Sequence, residues 1–198
     1  MLEKLNELSS TEPVLEAADL IEKTSPRIKA RVAGMFYTVT VLTALYAHYL
    51  GRGTHFGHAA SLISDGAYLV VALLLYELFK PVNRSLSLLA ALFSVVGIAR
   101  ADDSIFFHGF YCILLGCLIY RSTFVPRALG VFMALAGLGL LVNALLDLLP
   151  SGMTHVVSNI GFSLDGIGEI GFTLWLLIIG VNVQKWEAEA NHVSGTSC

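Results

Sequence analysis

The sequence predicts an all-α, polytopic membrane helix bundle: six transmembrane helices, both termini cytoplasmic, and a short amphipathic N-terminal helix ahead of the first span. Three observations carry this expectation. The 198 residues are 56% hydrophobic and only 14% charged, whereas about a quarter of a soluble domain is charged, and the mean hydropathy is +0.73. The apolar residues fall into six separated segments. Finally, Lys4, Lys23, Arg27, Lys29, Arg31, Lys80, Arg84, Arg121, Arg127 and Lys185 lie in the N-terminus, alternate loops and the C-terminus. Only Arg52 and Arg100 remain for the other loops. Ten of twelve basic residues on one side is a positive-inside pattern for an even number of spans, and it predicts a multi-pass protein of the inner (plasma) membrane.

Residues 1–30 read as a cytoplasmic, amphipathic preface. Glu3, Glu7, Glu12, Glu16, Asp19 and Glu22 make this stretch acidic and argue against a cleavable leader. Thr11 can cap a short helix whose first turn holds Glu12 and Pro13, positions that tolerate an anion and a missing N–H. Leu15, Ala18 and Ile21 continue at helical spacing, and Pro26 is expected to interrupt before the bilayer.

The transmembrane domain is expected over residues 31–183. A spanning helix needs about 20 apolar residues. Val32–Leu50 meets this running outward, and Ala59–Phe79 returns to stop at Lys80-Pro81. Ala128–Leu149 and Val156–Val181 form the last outward and inward pair. Between them, Ser85–Ala99 and Ile105–Tyr120 are only 15 and 16 residues long. At 1.5 Å per residue each covers roughly 24 Å, short of a core of about 30 Å. A short hairpin with a notch on the outer side follows. Residues 184–198 form a polar C-terminal tail.

Several stretches carry a family likeness. The first group is Ser25-Pro26-Arg27, Ala30-Arg31-Val32-Ala33-Gly34 and Tyr37. Next come Leu75-Tyr76, the run Lys80-Pro81-Val82-Asn83-Arg84-Ser85-Leu86, and Leu88-Leu89-Ala90-Ala91-Leu92-Phe93. Gly116, Leu118-Ile119-Tyr120-Arg121-Ser122, Pro126-Arg127 and Leu129-Gly130-Val131 follow. Glu169, Leu174-Trp175-Leu176-Leu177 and Gly180-Val181 close the series. In this order and spacing the chain resembles the bacterial six-helix integral membrane proteins catalogued only as a domain of unknown function. The resemblance implies six helices and a membrane location, and it supplies no activity. The connection after Phe93 is shorter here than in the family, in keeping with the short hairpin.

Ionisable residues inside spans are costly and usually face a protein interior or a water-filled cavity. Here they gather toward the outer half. Asp65 lies six residues into the second span, roughly 9 Å deep. Asp147 ends the fifth span, with Asn143 one turn deeper on the same face. Asp165 and Glu169, four apart, descend one face of the sixth span, and Glu169 is the deepest. His108, Tyr111 and Arg100 border the outer hairpin. Asp65, Asp165 and Glu169 are the candidate catalytic or proton-carrying acids; Asn143, Asp147, His108, Tyr111 and Arg100 are candidate ligand-binding residues.

Each has a plainer reading. Asp102, Asp103, His55, His58 and His155 suit solvated loops, Asp147 suits the interface, and Arg100 can pair with one buried acid. Glu77 lies three residues from Lys80 and can pair with it at the inner surface. Gly161, Gly166, Gly168 and Gly171 suit close helix packing, or else a locally opened helix lining a cavity. His108, His48 and an Asp are the nearest approach to a metal set, but their spacing matches no metal motif, and no cofactor or metal is expected. Cys112 and Cys117 lie in an apolar run, so no disulfide framework is expected.

Three functions fit. The first is an outward-facing acidic pocket that binds or carries a small amphiphilic or cationic molecule, with Glu169 able to couple a proton. The second is a membrane enzyme in which Glu169 protonates a lipid or isoprenoid substrate and Asp65 or Asp165 assists. The third is a structural or accessory protein whose polar interior fixes helix register. The expected partners are the lipid bilayer and a small-molecule or lipid ligand. No basic stripe suggests nucleic acid, and nothing indicates an oligomeric state.

Overall fold

The computed structural model describes residues 24–100, 104–146 and 154–195. These form seven helices and no strand: α1 (Pro26–Tyr49), α2 (His55–Phe79), α3 (Arg84–Ala99), α4 (Ser104–Arg121), α5 (Arg127–Leu146), α6 (Thr154–Ile178) and α7 (Val183–Gly195). The expected N-terminal helix around Thr11 and the turn at residues 101–103 lie outside the described residues.

Local chemistry sets the helix starts. Contrary to the expectation from sequence, Pro26 does not interrupt before the bilayer. It opens α1 at the first helical position, where its missing N–H is not needed. The Thr54 hydroxyl accepts from the Gly57 amide at 3.0 Å to start α2, and Asn83 Oδ1 accepts from the Leu86 amide at 2.9 Å to start α3. Gly180 follows α6 with φ 72°, a conformation suited to glycine. The polar residues after it form α7, which the sequence reading had only as a tail. Asn182 caps this helix through its side chain, accepting from the Lys185 amide at 3.2 Å.

Among the described residues, four helices are long and apolar enough to cross a membrane: α1 over Pro26–Ala47, α2, α5, and α6 over Gly161–Ile178. The helices α3 and α4 are apolar and shorter. Consecutive helices pack side by side from α1 to α6, and α1 also packs on α6, so the six close into a ring. The ring is apolar outside as well as inside. Leu42, Leu62, Leu73, Leu138, Ile167 and Ile178 are each more than half exposed. A soluble monomer does not carry so continuous an apolar exterior; lipid contact accounts for it.

The interior holds the bulky side chains Tyr37, Tyr111, Phe79, Phe172, Leu115, Ile119 and Met133, all fully buried or nearly so. Helices α4 and α5 meet backbone to backbone through glycines. A Cβ on Gly130 would lie 2.6 Å from the Tyr120 amide, and one on Gly137 would lie 2.5 Å from the Gly109 carbonyl. The unbroken helix α6 removes the locally opened alternative for its glycines. Gly161 instead packs on Gly139 and Asn143, and Gly168 faces Ala136.

One end of the ring collects the basic residues. Arg27 touches Gly180, the Arg31 guanidinium approaches the Ile178 carbonyl at 3.4 Å, and Lys80 pairs with Glu77 at 2.7 Å. Buried Lys29 also reaches Glu77, at 3.8 Å. Helix α7 ties this end together: the Trp186 indole N–H donates to the Leu78 carbonyl at 2.8 Å, and the Thr123 hydroxyl donates to Glu189 at 3.1 Å.

Candidate functional site

Two pairs of side chains, each four residues apart, face one another inside the ring. Asp165 and Glu169 project from one face of α6. His108 and Cys112 project from α4, because a spacing of four stacks side chains on a helix face. His108 Nε2 lies 3.1 Å from Glu169 Oε1 and 3.7 Å from Asp165 Oδ1. Cys112 Sγ lies 3.6 Å from His108 Nε2 and 3.8 Å from Asp165 Oδ1. One ligand-type atom from each of the four residues can be chosen so that all lie within 4.8 Å of one another.

Two further helices brace this quartet. The Tyr37 hydroxyl of α1 donates to Glu169 Oε1 at 2.6 Å. The Tyr68 hydroxyl of α2 lies 3.0 Å from His108 Nδ1. A hydrogen-bonded chain Tyr37–Glu169–His108–Tyr68 thus links α1, α6, α4 and α2. Tyr111 stacks on the His108 ring at 5.7 Å between centroids and meets Tyr68 edge-on at the same separation. His108 keeps 25% of its side chain exposed, and each of the two acids 16%.

That residual exposure faces a cavity of about 320 Å³. Its polar end is His108, Asp165 and Glu169; its walls include Ala44, Phe93, Ile98, Ile105, Leu140 and Phe162. The ends of the short helices α3 and α4, at Gly97, Ile98 and Ile105, form one side. The volume suits a small ligand, at the lower end of ordinary binding pockets.

The candidate residues from sequence divide as follows. Asp165, Glu169 and His108 come together, and Tyr111 packs against them. Asp65 lines the same cavity from an exposed position one turn before Tyr68. Asn143 is buried where α5 meets Gly161 of α6, away from the cavity lining. Arg100 caps the exposed end of α3 and does not line the cavity. Asp147, Asp102, Asp103, the side chain of His155 and that of His48 lie outside the described residues. His55 and His58 are exposed at the start of α2.

Sequence reasoning missed Cys112, Tyr37 and Tyr68 as parts of the site. For Cys112 a signal existed: the His108–Cys112 interval repeats the Asp165–Glu169 interval on another apolar helix. The tyrosines carry no such mark, because only packing of α1 and α2 against α6 and α4 brings their hydroxyls inward.

A family model described as a domain of unknown function (DUF4386) matches residues 104–180, which contain all four members of the quartet. The chain is also similar to an uncharacterized protein of Archaeoglobus fulgidus. The two are 30% identical over 132 residues, a stretch covering 58% of this chain and 78% of that relative. No solved structure is a significant match.

Proposed function

We propose that this chain, which belongs to the uncharacterised family marked by the DUF4386 domain, binds or carries a small amphiphile inside a six-helix transmembrane bundle. The amphiphile bears a cationic or hydrogen-bond-donating head. The head meets Glu169, Asp165 and His108, and the apolar tail lies along Phe93, Ile98, Ile105, Leu140 and Phe162. Asp65 stands at the rim. A single observation carries this reading: one cavity of about 320 Å³ joins an acidic, hydrogen-bonded end to apolar and aromatic walls. A purely structural polar interior needs no such space.

In this reading the cavity opens away from the cytoplasm, and residues 31–183 cross the plasma membrane six times with both termini cytoplasmic. The gathering of Arg27, Lys80, Arg84, Arg121, Arg127 and Lys185 toward the end where α1 begins and α6 finishes supports that orientation. The short α3 and α4, 16 and 18 residues, leave the opposite side lower.

A series of straight-chain primary amines of rising length tests the proposal on purified protein in nanodiscs. Thermal protection should be saturable and should grow with chain length until the cavity is filled. Glu169→Gln and Gly97→Phe should both abolish it. Protection that is absent, or equal in the Gly97→Phe protein, defeats the reading.

The chain Tyr37–Glu169–His108–Tyr68 favours a second reading, a membrane enzyme that moves a proton to or from a lipid-like substrate held in the same cavity. Full turnover of a discovered substrate by Glu169→Gln would remove Glu169 from that role.

A further inference from the structure

We propose that His108, Cys112, Asp165 and Glu169 form a binding site for one divalent transition-metal ion of the zinc type. The inference rests on the recess used above and assigns its polar end. Zinc is bound at about 2.0–2.2 Å by His and carboxylate and at about 2.3 Å by thiolate, so the edges of its tetrahedron measure roughly 3.3–3.6 Å. Four edges of the quartet measure 3.1, 3.6, 3.7 and 3.8 Å, and none exceeds 4.8 Å. Adjustments of a few tenths of an ångström bring these four edges to tetrahedral values, and a rotamer shift of Glu169 of roughly 1.2 Å at most closes the two that remain.

The donor chemistry narrows the ion. One imidazole, one thiol and two carboxylates suit zinc and the neighbouring borderline divalent ions. Magnesium and calcium prefer all-oxygen shells. The carriers are also suitable. Two helix faces, each presenting a pair at i and i+4, hold four donors on rigid backbone; a loop cluster would not.

The surroundings match what metal ligands require. A ligating His donates its other ring N–H to a fixed acceptor, and Tyr68 Oη lies 3.0 Å from His108 Nδ1. Tyr37 donates to Glu169 and orients that carboxylate. On binding, the ion displaces the proton of the Cys112 thiol to solvent. His108 then carries its proton on Nδ1, directed at Tyr68, and coordinates through Nε2. His108, Asp165 and Glu169 all line the cavity, so an ion can enter from there.

Cobalt(II) titration of the purified, metal-stripped full-length protein tests this. Saturable, stoichiometric binding should appear with the intense visible bands of tetrahedral cobalt and a thiolate-to-cobalt charge-transfer band in the near ultraviolet, and zinc should displace the cobalt. Cys112→Ser, almost isosteric and so expected to fold, should lose the charge-transfer band and weaken binding by about tenfold or more. Tyr68→Phe should keep the spectrum and weaken binding by about 10–100-fold. Absence of stoichiometric cobalt binding, or a spectrum and affinity unchanged in both Cys112→Ser and His108→Gln, overturns the metal site. Amine protection is measured on the same metal-stripped samples before cobalt is added, because an ammonium head and the ion compete for Glu169, Asp165 and His108. Protection without cobalt binding refutes the metal and leaves the cavity reading intact; cobalt binding without protection does the reverse.

Discussion

Gly137→Ala on α5 probes the site from outside it. The added Cβ would stand 2.5 Å from the Gly109 carbonyl oxygen and 2.8 Å from the Ile113 amide, where ordinary contacts begin at 3.4 Å. Both neighbours are backbone of α4, so no rotamer relieves them. Helices α4 and α5 must separate by roughly 0.6–0.9 Å, the kind of overpacking that costs about 1–3 kcal/mol. Replacing glycine by alanine inside a helix returns up to about 1 kcal/mol. The net loss of about 0–2 kcal/mol corresponds to a drop in Tm of up to roughly 8 °C for a chain of this size, and the gap to a variant that keeps only the helix gain is the full overpacking cost of about 1–3 kcal/mol.

Gly109 follows His108 directly, so the same displacement also strains the 3.1 Å contact between His108 and Glu169. The control is Gly166→Ala, whose Cβ would meet nothing within 4 Å and which keeps the gain in helix propensity. Thermal unfolding of the two variants in the same detergent, followed by circular dichroism, provides the comparison. A Gly137→Ala protein that melts at or above the Gly166→Ala protein would refute backbone-to-backbone packing of α4 on α5.

Other perturbations read other parts of the molecule. Tyr37→Phe removes the 2.6 Å donor to Glu169; interhelical hydrogen bonds in membranes contribute about 0.6–1.7 kcal/mol, so a small fall in chemical-denaturation midpoint is expected, and none at all would mean the contact is inert. Glu77→Ala takes away the carboxylate that Lys80 and buried Lys29 share; it perturbs two cations where Lys80→Ala removes one, so its destabilisation should be the larger in parallel unfolding titrations, and an equal effect would mean that Lys29 draws nothing from Glu77. Trp186→Phe breaks the bond to the Leu78 carbonyl, worth about 1 kcal/mol; limited proteolysis within α7 should speed up while amine protection at the cavity stays unchanged. Cysteine introduced at Gly53 should react with an impermeant maleimide added to intact cells, whereas one at Gln184 should react only after lysis; the opposite pattern would invert the proposed orientation.

Composition and charge were sufficient for the coarse architecture. Six apolar segments interrupted by Lys80-Pro81, Pro126-Arg127 and their like became six helices, since a chain this apolar must satisfy its backbone within helices. The spacing of Asp165 and Glu169 placed both acids on one face, because the helical period alone decides that. Pro26 was misread because the residue that halts a helix from within also starts one well. Helix α7 went unseen, since its register depends on Trp186 reaching the end of α2.

What only the tertiary structure decided is which face met which. No periodicity says that α4 turns His108 and Cys112 toward α6, or that Tyr37 and Tyr68 arrive from two other helices; glycine contacts and ring closure between α1 and α6 set those rotations. Asn143 and Arg100 carried the same polar signal as His108 in the sequence, yet packing set them apart from the cavity. A one-dimensional pattern records how polar a position is and on which side of its own helix it lies. Side-chain contacts of about 3 Å from one helix to another arise only when all six surfaces are packed at once.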